Sequence, residues 1–194
     1  MKWVSTLVVI ATLLACGSAV AIPPPWTLEE TKAGADLVVI ARTTRIEPVE
    51  GVRGADSRIG LEPAEVLKGK LQPRAKDTKL YLLYKRPERR PGPGGIERRV
   101  MGGTGQPKPQ EGQTALIFLR KDPSRPDSFR AVCGSFGYIP LSAAGDAERE
   151  AVKKRIKMHS DWCARIGNAE IRKAMEGYYA KAAAHANQDA KKVP

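Results

Sequence analysis

Five short apolar stretches, with no helical pattern between them, set the fold class of this 194-residue chain. Leu37-Val38-Val39-Ile40-Ala41 is a β-branched run that continues into the polar Arg42-Thr43-Thr44-Arg45, as a strand does when it leaves a buried region. Ile59, Leu61, Val66 and Leu67 mark a second extended stretch, broken at Pro63 and closed by the turn Lys68-Gly69-Lys70. In a third, Leu80, Leu82 and Tyr84 alternate with Tyr81 and Leu83, so both faces are apolar. Residues 115–119 form a fourth, between Gly112 and Lys121-Asp122-Pro123. Phe129, Ala131 and Cys133 alternate in a fifth, followed by Gly134 and Gly137. Parallel strands need a crossover connection, usually a helix. Its absence between these runs predicts an all-β core, a small five-stranded antiparallel barrel.

Helices flank this core at both ends. Trp26-Thr27-Leu28-Glu29-Glu30 reads as a helix start, with Thr27 as N-cap and Glu30 at the capping-box spacing, and the helix should end near Gly34. From Asp146 the period becomes 3.6: Val152, Ile156, His159, Cys163 and Ile166 share one face. Gly167 stops that helix, Asn168 caps the next, and Ile171, Met175, Tyr178 and Ala182 line its face. The expected organisation is a leader over residues 1–21 and a Pro-rich spacer over 22–26. An OB-like barrel domain follows over 27–142, then a helical pair over 143–187 and a disordered tail over 188–194. Within the barrel domain, residues 85–111 are rich in Pro, Gly and Arg and form one long loop, a length that is usually functional or disordered.

The leader bounds the compartment. Lys2 and the amino terminus precede an apolar run over residues 3–15, and Ala19-Val20-Ala21 is the pattern a signal peptidase cuts behind. Leu13-Leu14-Ala15-Cys16 overlaps it and resembles a lipobox, so two outcomes stay open: cleavage after Ala21, or lipidation of Cys16. Either exports the chain, to periplasm or medium in the first case and to a membrane face in the second. Cys133 and Cys163 are then an even pair in an oxidising compartment and are expected to form a disulfide, the alternative being two buried free thiols. The net charge of +12, which inside a cell would point to nucleic acid, points outside it to acidic polysaccharide, anionic lipid headgroups or extracellular DNA.

No motif names a reaction. His159 reads as a packed core histidine and His185 as solvated near a frayed helix end. No serine or cysteine nucleophile has a histidine-bearing context, and no H-E-x-x-H occurs. Glu62 and Glu65 read as exposed strand glutamates, although paired carboxylates form in space and so stay open as enzyme chemistry. Gly92-Pro93-Gly94-Gly95 and Gly102-Gly103-Thr104-Gly105 lack the Lys-Ser/Thr of a phosphate loop and read as turns. The sequence points to no metal and no cofactor. The constellation that stands out is Lys85, Arg86, Arg89, Arg90, Arg98 and Arg99, six positive charges against Glu88 and Glu97 on the long loop. Guanidinium groups pair bidentately with phosphate, sulfate or carboxylate, so these six are the candidate binding residues. Aromatic platforms are scarce, which disfavours single-strand recognition by stacking.

The order of elements also carries a resemblance. A capped helix is followed by Ala35-Asp36-Leu37-Val38-Val39-Ile40-Ala41-Arg42, Pro63-Ala64-Glu65-Val66-Leu67-Lys68-Gly69, Gly112-Gln113-Thr114-Ala115-Leu116-Ile117-Phe118-Leu119 and Gly134-Ser135-Phe136-Gly137. Over about residues 27–140 this resembles exported bacterial proteins related to the netrin-like module of tissue inhibitors of metalloproteinases, an OB-fold barrel with flanking helices. The resemblance implies the barrel. It also implies metalloprotease inhibition as an alternative function, which in those inhibitors depends on an N-terminal Cys-x-Cys. Cleavage after Ala21 leaves Ile22 first, lipidation would block the amine of Cys16, and Ser18 stands where the second cysteine is needed. The reading that results is an exported, non-enzymatic binding module that engages an anionic surface component or a protein through its barrel loops.

Overall fold

The computed structural model describes residues 24–71, 80–85, 109–142 and 146–191. The elements are α1 (Pro25–Ala33), β1 (Leu37–Pro48), β2 (Ser57–Lys68), β3 (Leu80–Tyr84), β4 (Thr114–Asp122), β5 (Arg125–Ala131), a 3-10 turn (Gly134–Gly137), β6 (Tyr138–Pro140), α2 (Asp146–Cys163) and α3 (Ala169–Lys191). β1 pairs with both β2 and β4, so the order β1-β2-β3-β5-β4 closes on itself as a barrel, with β6 added along β4. The core with flanking helices is as the sequence predicts. The all-antiparallel pairing is not: β3 and β5 run parallel, Tyr81 opposite Ser128 and Leu83 opposite Arg130, which makes the barrel mixed.

Strand alternation sorts the core into two layers. Leu37, Val39 and Ala41 of β1 and Ala115, Ile117 and Leu119 of β4 fill the barrel with Ile59, Leu61, Leu80, Leu82 and Tyr84. Val38 and Ile40, with Leu116 and Phe118, face outward and are covered by Val152, Ile156, Met175 and Tyr179 of the C-terminal helices. Residues 37–41 of β1 and 115–119 of β4 are therefore dry on both faces, which is why they are continuous apolar runs rather than alternating ones. Phe118 meets Tyr178 edge to face at 6.1 Å, a favoured aromatic geometry. Pro63 does not break β2. It sits beside an irregularity in the β1–β2 register, where a residue without an N–H is tolerated.

Several terminal features differ from expectation for identifiable reasons. α1 begins at Pro25 with Pro24 as N-cap and no side-chain cap, because a proline in the first turn already has the helical φ and no N–H to satisfy. Thr27 lies inside the helix, where its carbonyl accepts from the Thr31 hydroxyl. Asn168 caps α3 as predicted, its Oδ1 accepting from the N–H groups of Glu170 and Ile171. α3 continues to Lys191, past the end expected at residue 187. It is fastened to β2 ahead of that end, since Lys181 and His185 reach the two carboxylate oxygens of Glu65 at 3.0 and 3.1 Å. His185 is therefore not simply solvated, and Glu65 is spent on this contact rather than paired with Glu62.

The cysteines are a further correction. Cys133 and Cys163 are free thiols, not a disulfide. Cys163 donates to the carbonyl of His159 at 3.3 Å within its own helix, and Cys133 faces the Leu28 carbonyl of α1 at 3.8 Å. Burial pushes the Cys163 thiol up to about 12, so the thiolate that disulfide exchange requires is scarce. Denatured without reductant, the chain should take up an alkylating reagent at both Cys133 and Cys163. Mass spectrometry that finds both blocked until reduction would overturn this assignment.

Candidate functional site

The predicted basic loop is anchored at one end of the barrel. Its first stem leaves β3 at Tyr84, whose carbonyl accepts from Asp56 N–H of the β1–β2 loop at 3.0 Å, and Lys85 follows, exposed. Its second stem returns against β1: Gly112 N–H donates to Thr43 O at 2.7 Å, Thr43 N–H to Gln113 O at 2.8 Å, and Ile46 N–H to the Glu111 carboxylate at 2.9 Å. A positive φ of 78° at Gly112 makes that return turn, a conformation glycine adopts without strain. Of the six candidate residues only Lys85 is described. Arg86, Arg89, Arg90, Arg98 and Arg99 lie outside the described residues, as do Cys16 and the leader.

Around these stems the outer barrel face adds arginines that the sequence reading did not single out. Arg58 of β2 stacks its guanidinium on the Tyr81 ring of β3 at 4.6 Å and donates through Nη2 to Glu47 at 2.7 Å. Arg45 reaches the other oxygen of Glu47 at 3.0 Å, so two guanidinium groups share one carboxylate and the trio keeps a positive charge. Arg130 of β5, which lies across β3 from Arg58 at the level of Leu83, crosses to the β1–β2 loop. It donates to the carbonyls of Arg53 and Gly54 at 2.8 and 3.1 Å and pairs through Nε with Asp122. The Ser124 hydroxyl first, and Arg130 after it, hold the Asp122 carboxyl down to about 2, so this link stays charged under all ordinary conditions. One side chain thus ties the β4–β5 turn to the β1–β2 loop and stiffens the face. The available signal was the spacing of Arg45, Arg58 and Arg130 on strands; what hid it was that their meeting depends on barrel closure.

A second polar constellation is buried between α1 and the C-terminal helices. Lys32 is completely buried and saturates its ammonium: Nζ donates to Glu29 Oε1 at 2.8 Å and to the Tyr179 hydroxyl at 3.2 Å, and lies 3.3 Å from His159 Nδ1. Nζ also sits 5.4 Å from the centre of the Phe118 ring. His159 Nδ1 lies 3.1 Å from Glu29 Oε1, and Tyr179 donates a short hydrogen bond to Glu29 Oε2. Burial raises the Glu29 carboxyl, but the His159 hydrogen bond and the charge of Lys32 outweigh it and hold it below its ordinary range. Burial also pulls Lys32 and His159 down and pushes Tyr179 well up. His159 is the packed histidine the sequence predicts, now with its partners. With every member dry and mutually satisfied, this cluster anchors α1 and presents no group to a substrate.

Among the described residues, no group of three His, Cys, Asp or Glu could hold a metal ion. No described helix is long and apolar enough to cross a membrane. The chain matches no protein-family profile and no curated protein sequence.

Proposed function

We propose that this chain is an exported, non-enzymatic binding module that engages an anionic surface component, chiefly acidic polysaccharide, through the loop of residues 85–111 and the barrel face beside it. Export rests on the leader of residues 1–21. The observation that carries the binding reading is the anchoring of both loop stems at the barrel end that also holds Arg45 and Arg53, with Arg58 and Arg130 on the adjoining face. OB-type barrels bind on a face bordered by such loops. An arginine-rich surface is suited to sulfate and carboxylate, which accept paired N–H donors in one plane. Tyr81 is the aromatic available for stacking on that face, and its ring already carries Arg58, so base recognition is poorly served. In sequence, the six basic residues from Lys85 to Arg99 against Glu88 and Glu97 give the loop an excess of positive charge, which steers a polyanion before contact.

Replacing Lys85, Arg86, Arg89, Arg90, Arg98 and Arg99 together by Gln tests this. The full chain should be retained on immobilised heparin at physiological salt, and the variant should elute well before it. Parallel sedimentation with vesicles of phosphatidylglycerol separates the polysaccharide from the lipid source of negative charge. Unchanged retention of the variant on both would overturn the proposal.

A further inference from the structure

At the opposite end of the barrel from the loop stems, a recess of about 250 Å³ opens between the start of β1, the turn after β2 and the end of β4. Among the described residues, Leu37 and the half-buried ring of Phe129, which packs against the barrel interior, are its apolar lining residues, and Asp36, Lys70 and Lys121 are its charged ones. We propose that this recess binds a small organic monoanion with an aromatic body.

Three observations carry this. Among the described residues, the charged lining groups are two ammonium groups and one carboxylate, an excess of one positive charge that matches a monoanion. The lining sets Leu37 and Phe129 beside the three charged groups, so an apolar ring and an anionic substituent would each have a partner. Lys121 stands on β4, and Asp36 and Lys70 flank β1 and β2 in segments that are held in place. Asp36 Oδ2 accepts the Lys121 backbone N–H at 2.9 Å, locking the start of β1 to the end of β4. The turn that presents Lys70 is pressed on β1 at Gly69, whose φ is 84° and where an added Cβ would come within 2.5 Å of the Asp36 carbonyl oxygen. Taking about 30 Å³ for each water in the liquid, the volume corresponds to roughly eight waters, the size of a single substituted ring. The ligand's carboxylate would lie between Lys70 and Lys121, with its ring against Phe129 and Leu37. A ring hydroxyl would have the Asp36 carboxylate as acceptor. This site shares no residue with the basic loop and does not depend on it.

Benzoate, 4-hydroxybenzoate and the neutral isostere benzamide, titrated into the full chain and followed by NMR of the Phe129 ring and the Lys121 amide, test the proposal. Benzoate should give saturable shifts at both positions, and benzamide should bind at least about tenfold more weakly. The hydroxyl of 4-hydroxybenzoate should add affinity that Asp36→Asn removes. The exposed pair K70Q/K121Q, folding confirmed by an unchanged amide spectrum elsewhere, should lose benzoate binding by about tenfold or more. Equal binding of benzamide, undiminished binding by K70Q/K121Q, or no saturable shift up to about 20 mM ligand would overturn it.

Discussion

Lys32→Met should destabilise the protein by about 3–5 kcal/mol, the cost of breaking a buried ion pair from one side. α1 is held in an unusual way: its fully buried side chains are Glu29 and Lys32, while Trp26 and Ala33 pack only partly against the apolar cluster. Removing the ammonium leaves Glu29 as a buried carboxylate that keeps Tyr179 and His159 but loses its counter-charge. Because the penalty comes from the unpaired carboxylate more than from the missing bond, E29Q/K32M should recover a large part of it. Urea denaturation followed by far-UV circular dichroism measures both. A single variant as stable as the native chain would show that α1 contributes nothing to the cooperative unit. A double variant no better than the single would show that the pair's geometry, not its charge balance, is what matters.

The second large effect is expected at Gly137→Ala, at about 3 kcal/mol or more, since the obstruction is backbone and overpacking strain adds to it. A methyl group there would stand 2.1 Å from the Val132 carbonyl oxygen and 3.1 Å from its carbon, and neither can swing aside as a side chain would. The close approach arises because β5 and β6 both run antiparallel to β4, in the same direction, and the chain loops out between them within a single 3-10 turn. Cys133 at a φ of 59° and Gly134 at 59° start that loop. Gly167→Ala, at a position with nothing within 4 Å of the added carbon, is the matched control and should shift stability far less. Thermal unfolding of the two variants side by side reads the difference.

These two positions mark the limits of what the chain's pattern discloses. The runs at residues 37–41 and 115–119 disclosed strands dry on both faces, and the stripe Val152, Ile156, His159, Cys163 and Ile166 is buried throughout. Period alone carries that much, because a helix or strand must hide its apolar side. β6 escaped because Tyr138-Ile139-Pro140 is too short to show a period. The parallel pairing of β3 with β5 escaped because order along the chain does not fix which edges meet when a barrel closes. Glu29 and Lys32 look like ordinary helix-surface residues; they are buried by His159 and Tyr179, more than 125 residues away in the chain. One clue was available. A histidine on an apolar stripe must find a hydrogen-bond partner when buried, and a charged pair on another helix is such a partner. For the candidate site, the cluster from Lys85 to Arg99 was visible as composition, whereas Arg45, Arg58 and Arg130 gather only when β1, β2 and β5 are brought round the barrel.

The central claim, that this surface binds a polyanion by charge, is tested most directly by the salt dependence of affinity for a heparin oligosaccharide. If the loop and face neutralise several sulfates, log Kd should rise linearly with log salt, with a slope of about 4 or more, as counterion release demands. Replacing the six loop residues by Gln should flatten that slope. A slope near zero, or one the six substitutions leave unchanged, would contradict the assignment of this barrel end as the binding surface.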